Sequence, residues 1–224
     1  MKQQLIFDLE SAPKMTRDTF FEAPSNRLAV ATVDNWKNWP SNKLILTGPK
    51  GSGKTHLAQI WAAESGATIM KARDLNAADI DQLCKASIAI EDAHEIGANR
   101  ASEDALFHLH NLCLANGFSL LITGIEAPLR WGISLPDLLS RLQGTTTIGL
   151  EAPDDALLAA VLVKLLSDQQ INSDPKLISY ITKRMERSFE AAHNLIRALD
   201  QESLSKSKPL TLKLAAEVLD RIEE

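Results

Sequence analysis

Gly48-Pro49-Lys50-Gly51-Ser52-Gly53-Lys54-Thr55 lies between a short apolar run, Leu44-Ile45-Leu46-Thr47, and a stretch carrying Leu57, Ala58, Ile60 and Trp61. Strand, glycine-rich loop and helix is the setting in which the pattern G-x-x-x-x-G-K-[ST] has a mechanism. The glycines let backbone N–H groups turn inward around a polyphosphate, and the helix beginning at Gly53 or Lys54 adds its positive dipole end. In that geometry Lys54 reaches the β- and γ-phosphates and the Thr55 hydroxyl meets Mg²⁺. A nucleotide, ADP or ATP with Mg²⁺, is the ligand class that the stretch points to.

Outward from this loop, the chain alternates apolar runs with helical patterns. The spacing predicts a helix from Ser25 to about Trp36 with Leu28, Ala29, Ala31 and Val33 on one face, and a strand over 67–71. Asn76 reads as the cap of a helix to Leu83, and Ser87–Ile90 as a buried strand ending in Glu91-Asp92. Ser102 reads as the start of a helix closed by Gly117, and Phe118–Ile122 as a strand ending at Thr123-Gly124. Pro136 falls in the first turn of a helix with Leu138, Leu139 and Leu142, before a last strand over 145–150. This alternation predicts an α/β fold with a doubly wound parallel sheet. After Pro153 only helical patterns remain, near 154–170, 174–185, 188–203 and 211–223, so a small all-helical domain is expected to follow. The expected divisions are a tail over 1–19, an α/β nucleotide-binding domain over 20–152 and a helical domain over 153–224. Phe20 and Phe21 are placed to anchor the tail.

The 224 residues carry a net charge of −5. Lys and Arg are scattered, which argues against strong direct DNA binding, since a duplex-binding domain presents a basic face. No apolar run approaches membrane-spanning length and no secretory signal pattern opens the chain, so a cytoplasmic protein is expected. Cys84 and Cys113 lack metal-ligand spacing and read as buried thiols. His108 and His110, two apart on a helix, do not share a face.

Beyond the loop, four features bear on chemistry. Glu91 and Asp92 end a buried strand, where one carboxylate can hold Mg²⁺ through water and the other can orient an attacking water; an ordinary acidic strand end is the plainer alternative. Thr123 could stand between that strand and the loop. Arg141 either snorkels to solvent or reaches a neighbouring molecule's nucleotide. Arg187 stands at a helix start, where the dipole disfavours it and another partner is plausible.

Taken with the loop, these features resemble the AAA+ family and, within it, the DnaA/Hda subfamily of replication initiators and their shortened relatives. The resemblance covers about residues 18–224. Phe21-Glu22-Ala23-Pro24-Ser25-Asn26-Arg27-Leu28-Ala29 is similar to the segment that leads into the ATPase domain and touches adenine, which implies a contact for Asn26 and Arg27 at the nucleotide; His56, the helix-start residue after Thr55, is counted with the loop. Gly48–Thr55 matches Walker A, and Ile90-Glu91-Asp92 matches Walker B, with Glu91 where the family has Asp. Leu121-Ile122-Thr123-Gly124 matches the sensor 1 strand. Leu138–Leu142 matches the arginine-finger box, which implies a role for Arg141 in trans. Arg187-Ser188-Phe189-Glu190-Ala191-Ala192 is similar to the sensor 2 motif. The sequence ends after Leu219-Asp220-Arg221-Ile222 where DnaA continues into a helix-turn-helix domain, and Gln4-Leu5-Ile6-Phe7-Asp8-Leu9 resembles the peptide by which the shortened relatives dock on the DNA polymerase sliding clamp. Gln4, Leu5, Phe7 and Leu9 would be its anchors; an unstructured tail or an added edge strand is the alternative. The resemblance implies a regulator that binds the clamp, meets DnaA and promotes hydrolysis of DnaA-bound ATP, with weak turnover of its own and possible homo-oligomers. A helicase loader of the DnaC type and a P-loop phosphotransferase are the other readings. The loader would need basic residues and exposed aromatics, with Trp36, Trp39, Trp61 and Trp131 as candidates.

Overall fold

The computed structural model describes residues 15–17, 20–169, 171, 174–206 and 210–223. The Gln4–Leu9 peptide lies outside them. A five-stranded parallel sheet forms the centre, in the order β2-β3-β4-β1-β5. Its strands are β1 (Lys43–Thr47), β2 (Thr68–Lys71), β3 (Ile88–Glu91), β4 (Leu120–Gly124) and β5 (Thr147–Gly149). Between them run α1 (Arg27–Asp34), α2 (Lys54–Ser65), α3 (Ile80–Leu83), α4 (Arg100–Ala115) and α5 (Pro136–Gln143).

Side chains alternate across the strands, so each apolar run feeds two cores. Ile45, Ile88, Ile90, Leu120 and Ile122 pack with Leu106 and Leu109 of α4 and Leu138 and Leu142 of α5. Leu44, Leu46, Ala89 and Leu121 pack on the other face with Val30 and Val33 of α1 and Leu57 and Trp61 of α2. Burial on both faces is why these strands read as continuous apolar runs. Each fully buried Leu or Ile contributes about 1.5–3 kcal/mol.

Three local expectations are corrected. First, α1 starts at Arg27 and ends at Asp34, and it buries Ala29, Val30 and Val33. Leu28 is 67% exposed and Ala31 is exposed too. The helix stops early because the Trp39 indole donates to Thr32 O at 2.7 Å and its ring stacks on Trp61 at 5.3 Å, turning the chain back. Second, Asn76 caps nothing: 72–77 is a 3₁₀ turn that buries Ala72 and Leu75. The Asp79 carboxylate, accepting from Gln82 N–H at 3.1 Å, caps α3 instead. Third, α4 begins at Arg100, with Asn99 accepting from Ser102 N–H at 3.2 Å.

The helices after Pro153 are α6 (Asp155–Asp168), α7 (Pro175–Thr182), α8 (Phe189–Lys206) and α9 (Leu212–Glu223). Asp154 caps α6 through Leu157 N–H at 2.7 Å, Ser188 caps α8 through Ala191 N–H at 3.0 Å, and Thr211 caps α9 through Leu214 N–H at 3.2 Å. They enclose a core of their own, with Leu158, Leu162, Leu166, Ile181, Leu199 and Val218 buried. Phe21 packs against this core, while Phe20 belongs to the core beneath α1 and α2. The two adjacent phenylalanines thus tie the entering segment to both parts. No helix among the described residues is long and apolar enough to cross a membrane.

Candidate functional site

The phosphate-type loop follows β1 directly, and its glycines occupy backbone that other residues would strain. Gly48 has φ +152°, and a Cβ there would lie 2.3 Å from Leu150 O. Gly51 has φ +73°, and a Cβ there would lie 2.4 Å from Ser188 Cβ. The helical part therefore rests on the loop itself, and Phe189 N–H donates to Gly51 O at 3.1 Å. Lys50 is exposed and Pro49 is exposed, whereas Ser52 and Lys54 are buried. The Lys54 ammonium donates to Gly48 O at 2.7 Å and to Pro49 O at 2.8 Å. Burial pulls its pKa below the ordinary lysine value, against the attraction of Asp92 and Glu91 and with the repulsion of Lys71. Ser52 Oγ is buried and makes no hydrogen bond among the described residues. Gly53 caps α2 in a left-handed conformation, which puts Thr55 in the helix's first turn.

Beside the loop stands the end of β3. Glu91 is 4% exposed, and its Oε1 has no hydrogen-bond partner among the described residues. Asp92 has a left-handed backbone at φ +57°, a strained conformation of the kind that collects at functional sites. Its N–H donates to the Thr123 hydroxyl at 3.1 Å, so the structure brings Thr123, on β4, to the acidic pair. The Lys71 ammonium, at the end of β2, contacts Asp92 Oδ2 at 2.5 Å and Glu91 Oε2 at 3.3 Å. This contact follows from register, since Lys71 is the Cα partner of Glu91. Burial opposes the charge on Lys71, but the bond to Asp92 and the two carboxylates outweigh it and hold its pKa above the ordinary value. Lys71 is a site residue that sequence reasoning missed.

Other candidate residues are placed less directly. Asn26 is buried and braces its own turn, accepting from Ala23 N–H at 2.8 Å and donating to Phe21 O at 2.7 Å. Arg27 is exposed and pairs with Glu22 at 3.5 Å. The His56 ring meets Phe20 edge-on at 5.0 Å, with Nε2 3.0 Å from Thr16 O. Arg187 gives its guanidinium to Asp155 at 2.7 Å, so at this helix start Ser188 and Phe189, and not the Arg187 side chain, meet the loop.

Arg141 lies elsewhere. It is in the last turn of α5, exposed, and makes no ion pair among the described residues. Its carbonyl accepts from Lys43 Nζ at 3.4 Å and from the Thr145 hydroxyl at 2.8 Å. Lys43 Nζ is 3.3 Å from His110 Nε2. Burial, then Arg141, lowers the Lys43 pKa; burial, then Lys43, lowers that of His110. Lys43 opens β1 and Thr47 closes it next to the loop. Arg141 is therefore at the opposite end of β1 from its own phosphate loop, about 13 Å away along the strand.

Glu103 was also missed. It is fully buried and accepts from Ala98 N–H and Ser134 N–H, each at 3.0 Å, from the Ser134 hydroxyl at 2.8 Å and from Leu135 N–H at 2.7 Å. It fastens the segment that leads into α5. Burial opposes its charge, but these bonds hold its carboxyl below the ordinary value.

No family model matches the chain. DnaA of Flavobacterium psychrophilum is 24% identical over 91% of the chain and 48% of that protein. DnaA of Caulobacter sp. strain K31 is 27% identical over 92% and 48%. An uncharacterized protein of Haemophilus influenzae is 23% identical over 98% of the chain and 100% of that protein. The chain thus spans about half the length of the DnaA relatives that it matches. Among solved structures, domain III of Thermotoga maritima DnaA superposes with a TM-score of 0.79 at 19% identity, over 94% of this chain and 97% of that one. DnaA bound to AMPPCP and single-stranded DNA superposes with a TM-score of 0.72 at 19% identity, over 88% and 69%. A RuvB variant of Thermotoga maritima follows with a TM-score of 0.66 at 18% identity, over 86% and 65%. The parallel sheet, the loop after β1, the acidic end of β3 and these likenesses agree on an α/β P-loop fold of the AAA+ type, similar to that of the DnaA ATPase domain.

Proposed function

We propose that the chain is a nucleotide-binding AAA+ regulator of replication initiation whose chemistry is exerted on a partner's ATP. The observation that carries this reading is the position of Arg141, exposed and without an ion pair among the described residues, at the end of β1 opposite its own loop. A guanidinium there has no route to nucleotide in cis, but a neighbouring AAA+ module that presents its phosphates to this end would meet it. Relatives named as replication initiators make DnaA the expected neighbour, and a second copy of this chain is the other.

In this reading the loop holds ADP or ATP. Backbone N–H groups of Lys50 to Thr55 bind the phosphates, with Lys54 shifted from the carbonyls of Gly48 and Pro49 onto the ligand. The unpartnered Oε1 of Glu91 and the hydroxyl at the first turn of α2 fit a divalent cation, so Thr55 and Glu91 would hold Mg²⁺, Glu91 through water. The metal would supply charge neutralisation between phosphate oxygens. Asp92 orients water, and Thr123 fixes Asp92 through its N–H. Asp155 competes with phosphate for Arg187. With Lys71 bound to both acids and Lys54 to the loop, intrinsic turnover is expected to be slow.

Gln4, Leu5, Phe7 and Leu9 would tether the chain to the sliding clamp on DNA, an extended peptide laid in an apolar groove. The helicase-loader reading is left with Trp36 alone, half-buried against Trp61, because Trp39, Trp61 and Trp131 are all buried. The phosphotransferase reading lacks an arginine cluster: Arg130 pairs with Glu126 at 3.2 Å on the surface.

The test combines this chain, ATP-loaded DnaA and clamp loaded on DNA, and follows phosphate release. The wild type is expected to speed hydrolysis of DnaA-bound ATP; Arg141→Ala is expected to lose the effect while keeping nucleotide affinity. Leu5→Ala is expected to lose capture by immobilised clamp. Full stimulation by Arg141→Ala would sink the proposal.

A further inference from the structure

The end of β2 places a lysine where the site already has its acids. Lys71 is bound to both Glu91 and Asp92, and Lys54 is close enough to feel all three charges. Lys71 is thus in contact with both carboxylates and Lys54 interacts with them electrostatically, so the formal charges of the four groups cancel. At a nucleotide site that lacks such a lysine, the acids leave a negative balance that repels polyphosphate until a divalent cation offsets it. In this chain the offset is covalently attached.

We infer that Lys71 acts as a built-in counter-cation at the nucleotide site, making phosphate binding largely independent of divalent metal and tying up the acids that would otherwise serve hydrolysis. This rests on the nucleotide-binding reading above. The placement of Lys71 is fixed by the sheet, because the parallel register sets its Cα opposite that of Glu91. Its side chain is 37% exposed, so about two thirds of it is covered. Glu91 keeps one oxygen for a metal, the unpartnered Oε1, so a cation is admitted but not required. Lys71 touches no reacting atom in this arrangement and works through Glu91 and Asp92; it is a positioning residue and an electrostatic one.

The experiment titrates a fluorescent ADP and a fluorescent ATP into the full chain, once with Mg²⁺ and once with EDTA. The wild type is expected to show dissociation constants that differ by less than about threefold between the two buffers. Lys71→Met, which keeps an unbranched side chain and removes the charge, is expected to bind the triphosphate about tenfold more weakly in EDTA, with Mg²⁺ restoring affinity. Lys71→Arg is expected to behave as the wild type, and single-turnover hydrolysis with Mg²⁺ is expected to rise in Lys71→Met. If the Met variant does not fold, the wild-type pair of titrations decides alone. Wild-type affinity that collapses about tenfold or more in EDTA overturns the inference, as does a folded Met variant with unchanged metal dependence. Nucleotide binding that is absent in both buffers overturns the nucleotide reading as well, whereas strict metal dependence overturns only the role of Lys71.

Discussion

The two ends of the parallel sheet treat their charges in opposite ways. At the carboxyl end Lys54 is bonded to loop carbonyls, Lys71 to both acids and Arg187 to Asp155. At the amino end Lys43 and His110 face each other, each held below its ordinary pKa, and Arg141 beside them has no ion pair among the described residues. Matched charge suits an end that holds a ligand between its own groups. Unmatched positive charge suits an end that meets a negative group from outside.

The contrast can be tested from either end. The largest effect on the chain itself is expected at Glu103, which fastens the segment feeding α5 and so the presentation of Arg141. Glu103→Ala strips acceptors from the N–H groups of Ala98, Ser134 and Leu135 and should cost about 3–5 kcal/mol. A fall in Tm of about 10 °C is expected in calorimetry. A loss of only a degree or two would mean that water replaces the carboxylate and that the brace is dispensable.

The next effect is expected at the other end. Gly51→Ala puts a methyl group against Ser188 at a left-handed backbone position. It should cost about 1–2 kcal/mol and loosen the seat of α8, seen as faster hydrogen exchange over 188–192 with the sheet unchanged. Exchange that speeds up equally in β1 and β3 would instead show global destabilisation.

The smallest effect concerns pH. His56, His110 and His193 all have pKa values lowered chiefly by burial. The folded chain therefore binds fewer protons than the unfolded one once the pH drops below about 6.5. Stability is then full above that pH and lost as pH falls through it. Denaturation midpoints at pH 7.5, 6.5 and 5.5 are expected to decline in that order, with a shallower decline in His110→Gln. A parallel decline in that variant would remove His110, and with it the uncompensated amino end, from the explanation.

What the sequence disclosed depended on whether neighbours along the chain carried the signal. The loop, the strand ending in Glu91-Asp92 and the helices after Pro153 were legible because their patterns are contiguous. Leu28 was misassigned because a short helix allows two apolar faces, and only the packing of Trp39 and Trp61 chooses between them. The Asn76 cap failed because Asp79, three residues on, competes for the same role and wins. Lys71 and Glu103 gave no signal: a lysine closing a strand and a glutamate early in a helix are ordinary. Their importance arises from strand register in one case and from a segment 31 residues away in the other. Arg141 was legible as a candidate, but its distance from the loop needed the sheet.

The bond from Phe189 N–H to Gly51 O has a mechanical consequence. It couples the loop to the first residue of α8, which is 18 residues long and so spans about 27 Å. The loop is the fulcrum of a lever. A tilt of about 10° at Gly51, as small as a change in one loop torsion, sweeps the far end of α8 through about 5 Å. α9 packs along that helix through Ala215, Val218 and Leu219 and travels with it. Under the proposed nucleotide role, a difference of one phosphate at the loop would be read as a displacement on the far side of the helical layer.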